Sequence, residues 1–96
     1  MPKAYVVARS VVTNADAWAQ YAAKATEAIK QYGGAPIVRG GRVEVVEGEG
    51  RARNVVIEFA SFEAARAYAH SPEYANARKL RAGAGFMDMV IVKGAP

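Results

Sequence analysis

The segment from Arg53 to Tyr74 constrains the fold of this chain more than any other stretch. Residues 53–60 are rich in β-branched side chains, which predicts a β-strand. Ser61 follows as a cap for a short helix. Ser71 then caps a second helix with Pro72 at its first position, where the missing amide hydrogen costs nothing. The segment therefore predicts a strand followed at once by two short helices.

The first strand and the first helix are predicted from the chain before that segment. Ala4 to Val12 is rich in valine and bounded by polar residues, which favours a strand. Thr13, with an acid three residues on, is close to a capping box and predicts a helix that runs to about Tyr32. Gly33-Gly34 supplies the left-handed conformation that ends a helix. The apolar stripe of this helix is formed by Trp18, Tyr21, Ala22, Ala25, Ile29 and Tyr32.

Two more strands complete the predicted order. Pro36 to Glu47 predicts a second strand with a bulge at Gly40-Gly41, followed by a hairpin turn at residues 48–50. Phe86 to Lys93 is the last predicted strand. The order βαββαβ with right-handed crossovers predicts a four-stranded antiparallel sheet with the helices on one face. The predicted fold class is therefore α+β and ferredoxin-like.

The two faces of this sheet differ in composition. The apolar side of the third strand, formed by Val55, Ile57 and Phe59, should lie under the helices. We call the other side the open face, and we expect it to carry Tyr5, Val7, Arg9, Val56, Glu58, Asp88 and Val90, with Arg39 or Arg42 added by the second strand. Uncovered valines would form an exposed apolar patch, so we expect a second copy of the chain to cover them. A two-fold homodimer, closing a dimeric α/β barrel, is the simplest arrangement.

The charges expected on the open face have two interpretations. Arg9 would lie between Glu58 and Asp88, and the three could form an ion-pair network that fixes the register of the dimer. Alternatively, Glu58 or Asp88 is a general base, and Arg9 or Arg39 clamps an anionic group of a substrate. The sequence leaves both interpretations open.

The single histidine and the second short helix supply further candidates. His70 is the only histidine, which excludes a metal site built on several histidines. It has two interpretations: a functional group, either a general base or a haem ligand, or a surface residue between two helices. Ser71 and Tyr74 are either a cap and a packed aromatic, or groups that orient a substrate. The chain contains no cysteine, which excludes disulfides and thiolate chemistry.

The composition limits the classes of partner. The 96 residues form one domain with a net charge of +4, and acidic residues are mixed among the basic ones. No apolar run is long enough to cross a bilayer and no signal peptide is recognisable, so a cytosolic location and no membrane partner are expected. An RNA-recognition domain shares the strand order, but its stacking positions hold Asn54 and Val56 here, with Tyr5 the remaining aromatic. We therefore expect no nucleic-acid partner.

Several short motifs, in order along the chain, resemble the family known as domain of unknown function 1330, within the dimeric α/β-barrel superfamily. They are Tyr5-Val6-Val7, Gly33-Gly34, Val38-Arg39-Gly40-Gly41, Glu47-Gly48, Val55-Val56-Ile57-Glu58-Phe59, Ser71-Pro72-Glu73-Tyr74 and Arg81. The resemblance implies a ferredoxin-like protomer that dimerises. The wider superfamily includes cofactor-free monooxygenases, isomerases and haem proteins. The family pattern marks Arg39, Glu47, Glu58, Ser71, Tyr74 and Arg81, and the departure from it is His70.

The functional expectation is a small-molecule binding protein or a cofactor-free enzyme, with no cofactor and no metal. Arg39 would clamp an anionic or carbonyl oxygen, Glu58 would be the acid/base group, and Tyr74 would orient the ligand. The further candidates are His70 for catalysis and Arg9, Ser71 and Arg81 for substrate binding. This hypothesis predicts a closed pocket of a few hundred cubic ångströms beside Glu58, Arg39 or Tyr74. The alternative is a non-catalytic dimerisation or regulatory module.

Overall fold

The computed structural model describes residues 2–96. The elements, in chain order, are β1 (Ala4–Val12), α1 (Ala15–Gln31), β2 (Ala35–Arg39), β3 (Arg53–Phe59), α2 (Phe62–Ala69), α3 (Pro72–Lys79) and β4 (Gly85–Lys93). The strands form one antiparallel sheet in the order β2-β3-β1-β4. The core lies between one face of this sheet and the helices. This is the ferredoxin-like arrangement, so the predicted fold class is confirmed.

The strand register confirms the predicted division between the two sheet faces. On the open face, Val7 of β1 lies opposite Val56 of β3 and Val90 of β4. On the helix side, Ile57 and Phe59 are buried beneath the helices. Because side chains alternate along a strand, the apolar helix side and the mixed open face follow from residue parity alone.

The first helix begins one residue later than predicted. Asn14, and not Thr13, is the N-cap residue: its Oδ1 accepts a hydrogen bond of 3.1 Å from the Ala17 N–H. Asparagine is among the best N-cap residues, so it takes this position from its neighbour. The helix ends as predicted, with Gly33 in the left-handed region at φ 79°. Its buried stripe consists of Trp18, Tyr21, Ala25, Ala28 and Ile29.

The second strand is shorter than predicted. It ends at Arg39, so the prediction of a strand to Glu47 and of a hairpin turn after it is wrong. Gly40 and Gly41 adopt φ values of 78° and 90°, which turn the chain out of the sheet. The bulge lies before them, between Pro36 and Val38. Residues 41–50 form an exposed loop.

The two short helices form as predicted. The Ser61 Oγ accepts a hydrogen bond of 3.1 Å from the Ala64 N–H and caps α2. Ser71 caps α3, whose first residue is Pro72. No helix within residues 2–96 combines the length and the apolar character needed to cross a membrane.

Gly34 allows the turn after α1 to pack directly on the core. A Cβ atom added there would lie 2.7 Å from the ring of Phe59 and 2.9 Å from Cγ2 of Ile29. The Phe59 ring cannot move away easily, because it is buried and stacks on Tyr68 with ring centroids 5.4 Å apart. The close approach therefore requires glycine at position 34.

We expect the substitution Gly34→Ala to lower the free energy of unfolding by about 1–3 kcal/mol, because the new methyl group overpacks the core. Urea denaturation of Gly34→Ala, Phe59→Leu and the double variant measures the coupling between the two sites. The double variant should lose less than the sum of the single losses. Losses that add within about 0.5 kcal/mol would show that the methyl group and the ring do not collide.

Candidate functional site

A cavity of about 80 Å³ lies on the helix side of the sheet, beneath α1. We call it the helix-side cavity. Its floor is Ala8 of β1, which lies between Val55 of β3 and Met89 of β4. Its roof includes Ala22 and Ala25 of α1. Small side chains lie at the centre of this layer, and larger side chains surround them. The larger side chains keep the helix and the sheet apart, so a space remains over the small ones.

The walls of the helix-side cavity are largely apolar and aromatic. Trp18, Tyr21 and Tyr68 line it, together with Met87 and Met89 of β4. The Trp18 and Tyr21 rings pack edge to face with centroids 5.4 Å apart. Walls of this kind bind the hydrocarbon part of a small ligand.

Two arginines line the same cavity at the adjacent ends of β2 and β3. Arg39 ends β2 opposite Val55, on the helix side and not on the open face as expected, and Arg53 begins β3. The Arg53 guanidinium lies against Gly40, since a Cβ atom there would be 3.0 Å from its Nη1. Within residues 2–96 neither arginine has a carboxylate oxygen within 4.0 Å. Both cations are therefore available to an anionic ligand.

A chain of buried polar groups adjoins the cavity. Arg81 Nη2 donates to the Tyr74 hydroxyl at 3.5 Å, and this hydroxyl lies 3.0 Å from that of Tyr21. The Tyr21 hydroxyl donates in turn to Met87 Sδ at 3.8 Å. The Arg81 guanidinium carbon also lies 5.5 Å from the ring centroid of Trp18 and 4.9 Å from that of Tyr21, within reach of cation–π attraction. We call this the Arg81–Tyr74–Tyr21 chain.

Burial and neighbouring groups raise the pKa values of Tyr21 and Arg81. Burial, reinforced by the proximity of Tyr74, raises the pKa of Tyr21 above its ordinary value, so its hydroxyl stays protonated at neutral pH. Burial alone would lower the pKa of Arg81, but the hydrogen bond to Tyr74 and the nearby Tyr21 oxygen raise it above its ordinary value. The Tyr21 hydroxyl is therefore able to donate, and the Arg81 guanidinium is charged at neutral pH.

Glu58 does not lie with the helix-side cavity. It is on the open face opposite Tyr5, whereas the cavity is lined by the odd-numbered residues of β3. Its carboxylate pairs with Lys3 Nζ at 3.0 Å and accepts a hydrogen bond of 3.4 Å from the Tyr5 hydroxyl. The structure thus does not bring Arg39, Glu58 and Tyr74 into one site. A strand cannot place Glu58 on the same face as its odd-numbered neighbours.

The expected position of Arg9 between Glu58 and Asp88 is wrong, and in the single chain these three residues form no ion pair with one another. Arg9 lies opposite Asn54 on β3, and its Nη2 donates to the Glu49 carbonyl oxygen at 3.3 Å. Asp88 does lie opposite Arg9 on β4, but its carboxylate pairs with Arg51 at 3.1 Å. The loop after β2 folds back over this end of the open face and supplies these partners.

The remaining candidates lie around α3, with His70 and Ser71 before it, Tyr74 within it and Arg81 after it. His70, Ser71, Tyr74 and Arg81 line a surface depression of about 460 Å³ that opens to solvent. The His70 side chain is exposed. Ser71 is only 4% exposed, and its Oγ donates to the Tyr68 carbonyl at 2.7 Å and accepts from the Tyr74 N–H at 3.0 Å. Its hydroxyl is thus engaged in capping α3. Among residues 2–96 no three His, Asp or Glu side chains are grouped closely enough to hold a metal ion.

The prediction of a closed pocket of a few hundred cubic ångströms fits neither site fully, because the depression beside Tyr74 has that size but is open to solvent. Arg39 lines a cavity, but the volume is about 80 Å³ and not a few hundred. The sequence interpretation missed Arg53, although its odd number places it on the helix side of β3. It considered Tyr21 as core or as the wall of a pocket but assigned no partner to its hydroxyl, although a buried tyrosine hydroxyl needs one.

Almost the whole chain matches one protein family. The family model described as domain of unknown function (DUF1330) matches residues 3–95. No curated protein matches the chain in sequence.

Solved structures share the fold at low sequence identity. A protein of unknown function from Rhodopseudomonas palustris has a TM-score of 0.77 and 17% identity, over 99% of this chain and 84% of that one. SnoaB, described as a cofactor-independent oxygenase from Streptomyces nogalater, has a TM-score of 0.53 and 11% identity, over 100% of this chain and 96% of that one. A protein from Bacteroides fragilis NCTC 9343, described as dimeric with a ferredoxin-like fold, has a TM-score of 0.50 and 18% identity, over 95% of this chain and 93% of that one. At these identities the likeness shows the fold alone.

We expect Ser71→Ala to lower the free energy of unfolding by about 1–3 kcal/mol, because it removes the buried acceptor of the Tyr74 N–H and one of the two hydrogen bonds that the Tyr68 carbonyl accepts. Ser61→Ala is the matched control, since it removes a cap that is only half-buried. Its loss should be about 0.5–1 kcal/mol. Urea denaturation of both variants measures the difference. Equal losses would argue that the Ser71 hydroxyl contributes no more than an ordinary cap.

Proposed function

The chain belongs to the DUF1330 family, and we propose that it binds a small organic carboxylate in the helix-side cavity. The observation that carries this proposal is the presence of Arg39 and Arg53 at the edge of a cavity whose other walls are mostly apolar. Guanidinium groups bind carboxylates through two parallel hydrogen bonds, while apolar walls bind hydrocarbon. The two kinds of lining match the two ends of a short-chain acid.

The volume of the cavity limits the length of the ligand. At about 80 Å³ it is well below the usual size of drug-binding pockets. It is also smaller than the engineered cavity of about 150 Å³ that holds benzene. We therefore assign the site to acids with a short hydrocarbon part, on the order of three to five carbon atoms. The carboxylate would remain at the arginines and only the chain would enter.

The proposal gives the predicted site residues different roles. Arg39 contacts the ligand, as the sequence led us to expect, and Arg53 joins it. Tyr74 does not line the cavity but is hydrogen-bonded to Tyr21, which does. Glu58 and His70 lie outside the cavity, so no catalytic role is assigned to them. The same fold in a cofactor-independent oxygenase is compatible with small-molecule chemistry without a tightly bound cofactor.

We also propose that two copies pair through their open faces. Phe86 and Val90 on this face are 51% and 53% exposed in the single chain, and Val38 and Val92 are also exposed. Burying such a patch against an identical one removes apolar area from water on both copies. The Bacteroides fragilis protein of the same fold is described as dimeric. This face also favours the second candidate function, a dimerisation or regulatory module without a ligand.

The dimer is tested by Val90→Asp. We expect the unaltered chain to sediment as a dimer at micromolar concentration and the variant as a monomer, because an aspartate would be buried in the apolar interface. Leu80→Asp is the matched control, since Leu80 is 39% exposed but lies at the end of α3, on the helix side. Analytical ultracentrifugation measures both. A monomeric unaltered chain would overturn the proposed assembly.

Ligand binding is tested with propionate, butanoate and pentanoate against the corresponding amides. Trp18 is the only tryptophan and lines the cavity, so its fluorescence should report occupancy. We expect the acids to bind and the amides to bind at least about tenfold more weakly, because hydrogen bonds to charged groups are the stronger ones. Arg39→Met and Arg53→Met should each weaken acid binding by about tenfold or more.

Two control variants define the site. Arg42→Met removes a cation from the exposed loop and should leave binding unchanged. Ala8→Leu fills the cavity floor and should abolish binding while the chain stays folded. If amides bind as tightly as acids, or if Arg39→Met and Arg53→Met behave like Arg42→Met, the carboxylate site does not exist. Dimers that bind no acid would favour the dimerisation module.

A further inference from the structure

The Arg81–Tyr74–Tyr21 chain is a polar feature of the core that carboxylate binding alone does not use. A guanidinium can only donate, so Arg81 is the donor to the Tyr74 oxygen. The Tyr21 hydroxyl has one hydrogen, which its contact of 3.8 Å with Met87 Sδ uses. Tyr74 is then the donor in the contact of 3.0 Å between the two tyrosine oxygens. The whole series therefore points from Arg81 towards the wall of the cavity.

The last acceptor in this series is a poor one. A thioether sulfur is a weak acceptor, and the distance from the Tyr21 oxygen to it is 3.8 Å. A buried hydroxyl gains free energy when a better acceptor replaces a weak one. Tyr21 and Met87 both line the helix-side cavity, so an oxygen of a bound ligand could take the place of the sulfur.

We propose that Tyr21 donates a hydrogen bond to a carbonyl oxygen of the ligand, which makes the ligand an oxo acid. This inference rests on the proposed carboxylate site and adds a second point of recognition to it. Tyr21 is the contacting residue, while Tyr74 and Arg81 are positioning residues that orient its hydroxyl. A carbonyl oxygen has lone pairs and no hydrogen, so it fits a site that offers only a donor.

The sheet register places the two points of recognition apart. Arg53 of β3 and Met87 of β4 lie on either side of Ser10 of β1. Two strand spacings separate their backbones by about 10 Å. The arginine side chain spans part of this distance and the ligand spans the rest. The cavity would therefore select ligands by the number of carbon atoms between the carboxylate and the carbonyl group.

Three matched pairs of acids test the inference by calorimetry on the intact chain: pyruvate with propionate, 2-oxobutanoate with butanoate, and 4-oxopentanoate with pentanoate. At least one oxo acid should bind about three- to tenfold more tightly than its partner, as expected for one neutral hydrogen bond. Tyr21→Phe should abolish this preference and Tyr74→Phe should reduce it. Tyr32→Phe is the control, because that hydroxyl donates to Glu73 at 2.7 Å and Tyr32 does not line the cavity.

A spectroscopic measurement separates a direct contact from a structural effect. The carbonyl stretch of the bound oxo acid should lie at lower frequency in the unaltered chain than in Tyr21→Phe, because donation weakens the carbonyl bond. If each oxo acid binds no more tightly than its matched acid, while Arg39→Met still weakens both, the carboxylate site stands and the Tyr21 contact is refuted. If no acid of either kind binds, the carboxylate site itself is refuted and this inference with it. A preference that survives in Tyr21→Phe also refutes the contact.

Discussion

The packing of small side chains where α1 crosses the sheet determines the rest of this structure. Alanine at positions 22 and 25 faces Ala8 of β1 across the layer boundary. Small residues let a helix approach a sheet closely, but the neighbouring rings of Tyr21 and Tyr68 hold it at a fixed height. The mismatch between these two sizes leaves the helix-side cavity. The same two rings are buried and line the cavity, so its wall on the helix side is largely apolar.

The sequence predicted those features that depend on periodicity. Parity along β3 assigned Ile57 and Phe59 to the core and Val56 to the open face, and the serine caps gave the starts of α2 and α3. Partners fixed by strand register could not be predicted in this way, since a shift of a few residues moves Arg9 from Glu58 to Asn54. The end of β2 is set by the left-handed conformation of Gly40 and Gly41. The valines and glutamates after this pair favour a strand, so the predicted strand was too long.

The volume of the cavity was beyond prediction for a different reason. It depends on the sizes of side chains that meet from several strands and helices, and no local sequence pattern records how these sizes combine. The charged residues were easier to recognise than to place. Arg39 was a candidate because of its charge and reaches the cavity, whereas Glu58 was a candidate for the same reason and pairs with Lys3 on the other face. Charge identifies a candidate residue, but the strand register determines on which face of the sheet its side chain lies.

In the proposed binding site, the residues that set the volume differ from those that would contact a carboxylate or donate a hydrogen bond. The volume depends on alanines of α1 and β1, the positive charge belongs to the ends of β2 and β3, and the donor is held by a series of polar groups that begins after α3. Exchanges of alanine for glycine, serine or valine on α1 would then alter the length of ligand that fits and leave both proposed contacts in place. Under this proposal, proteins of this fold could differ in ligand size through single mutations while the chemical groups that they contact stay the same.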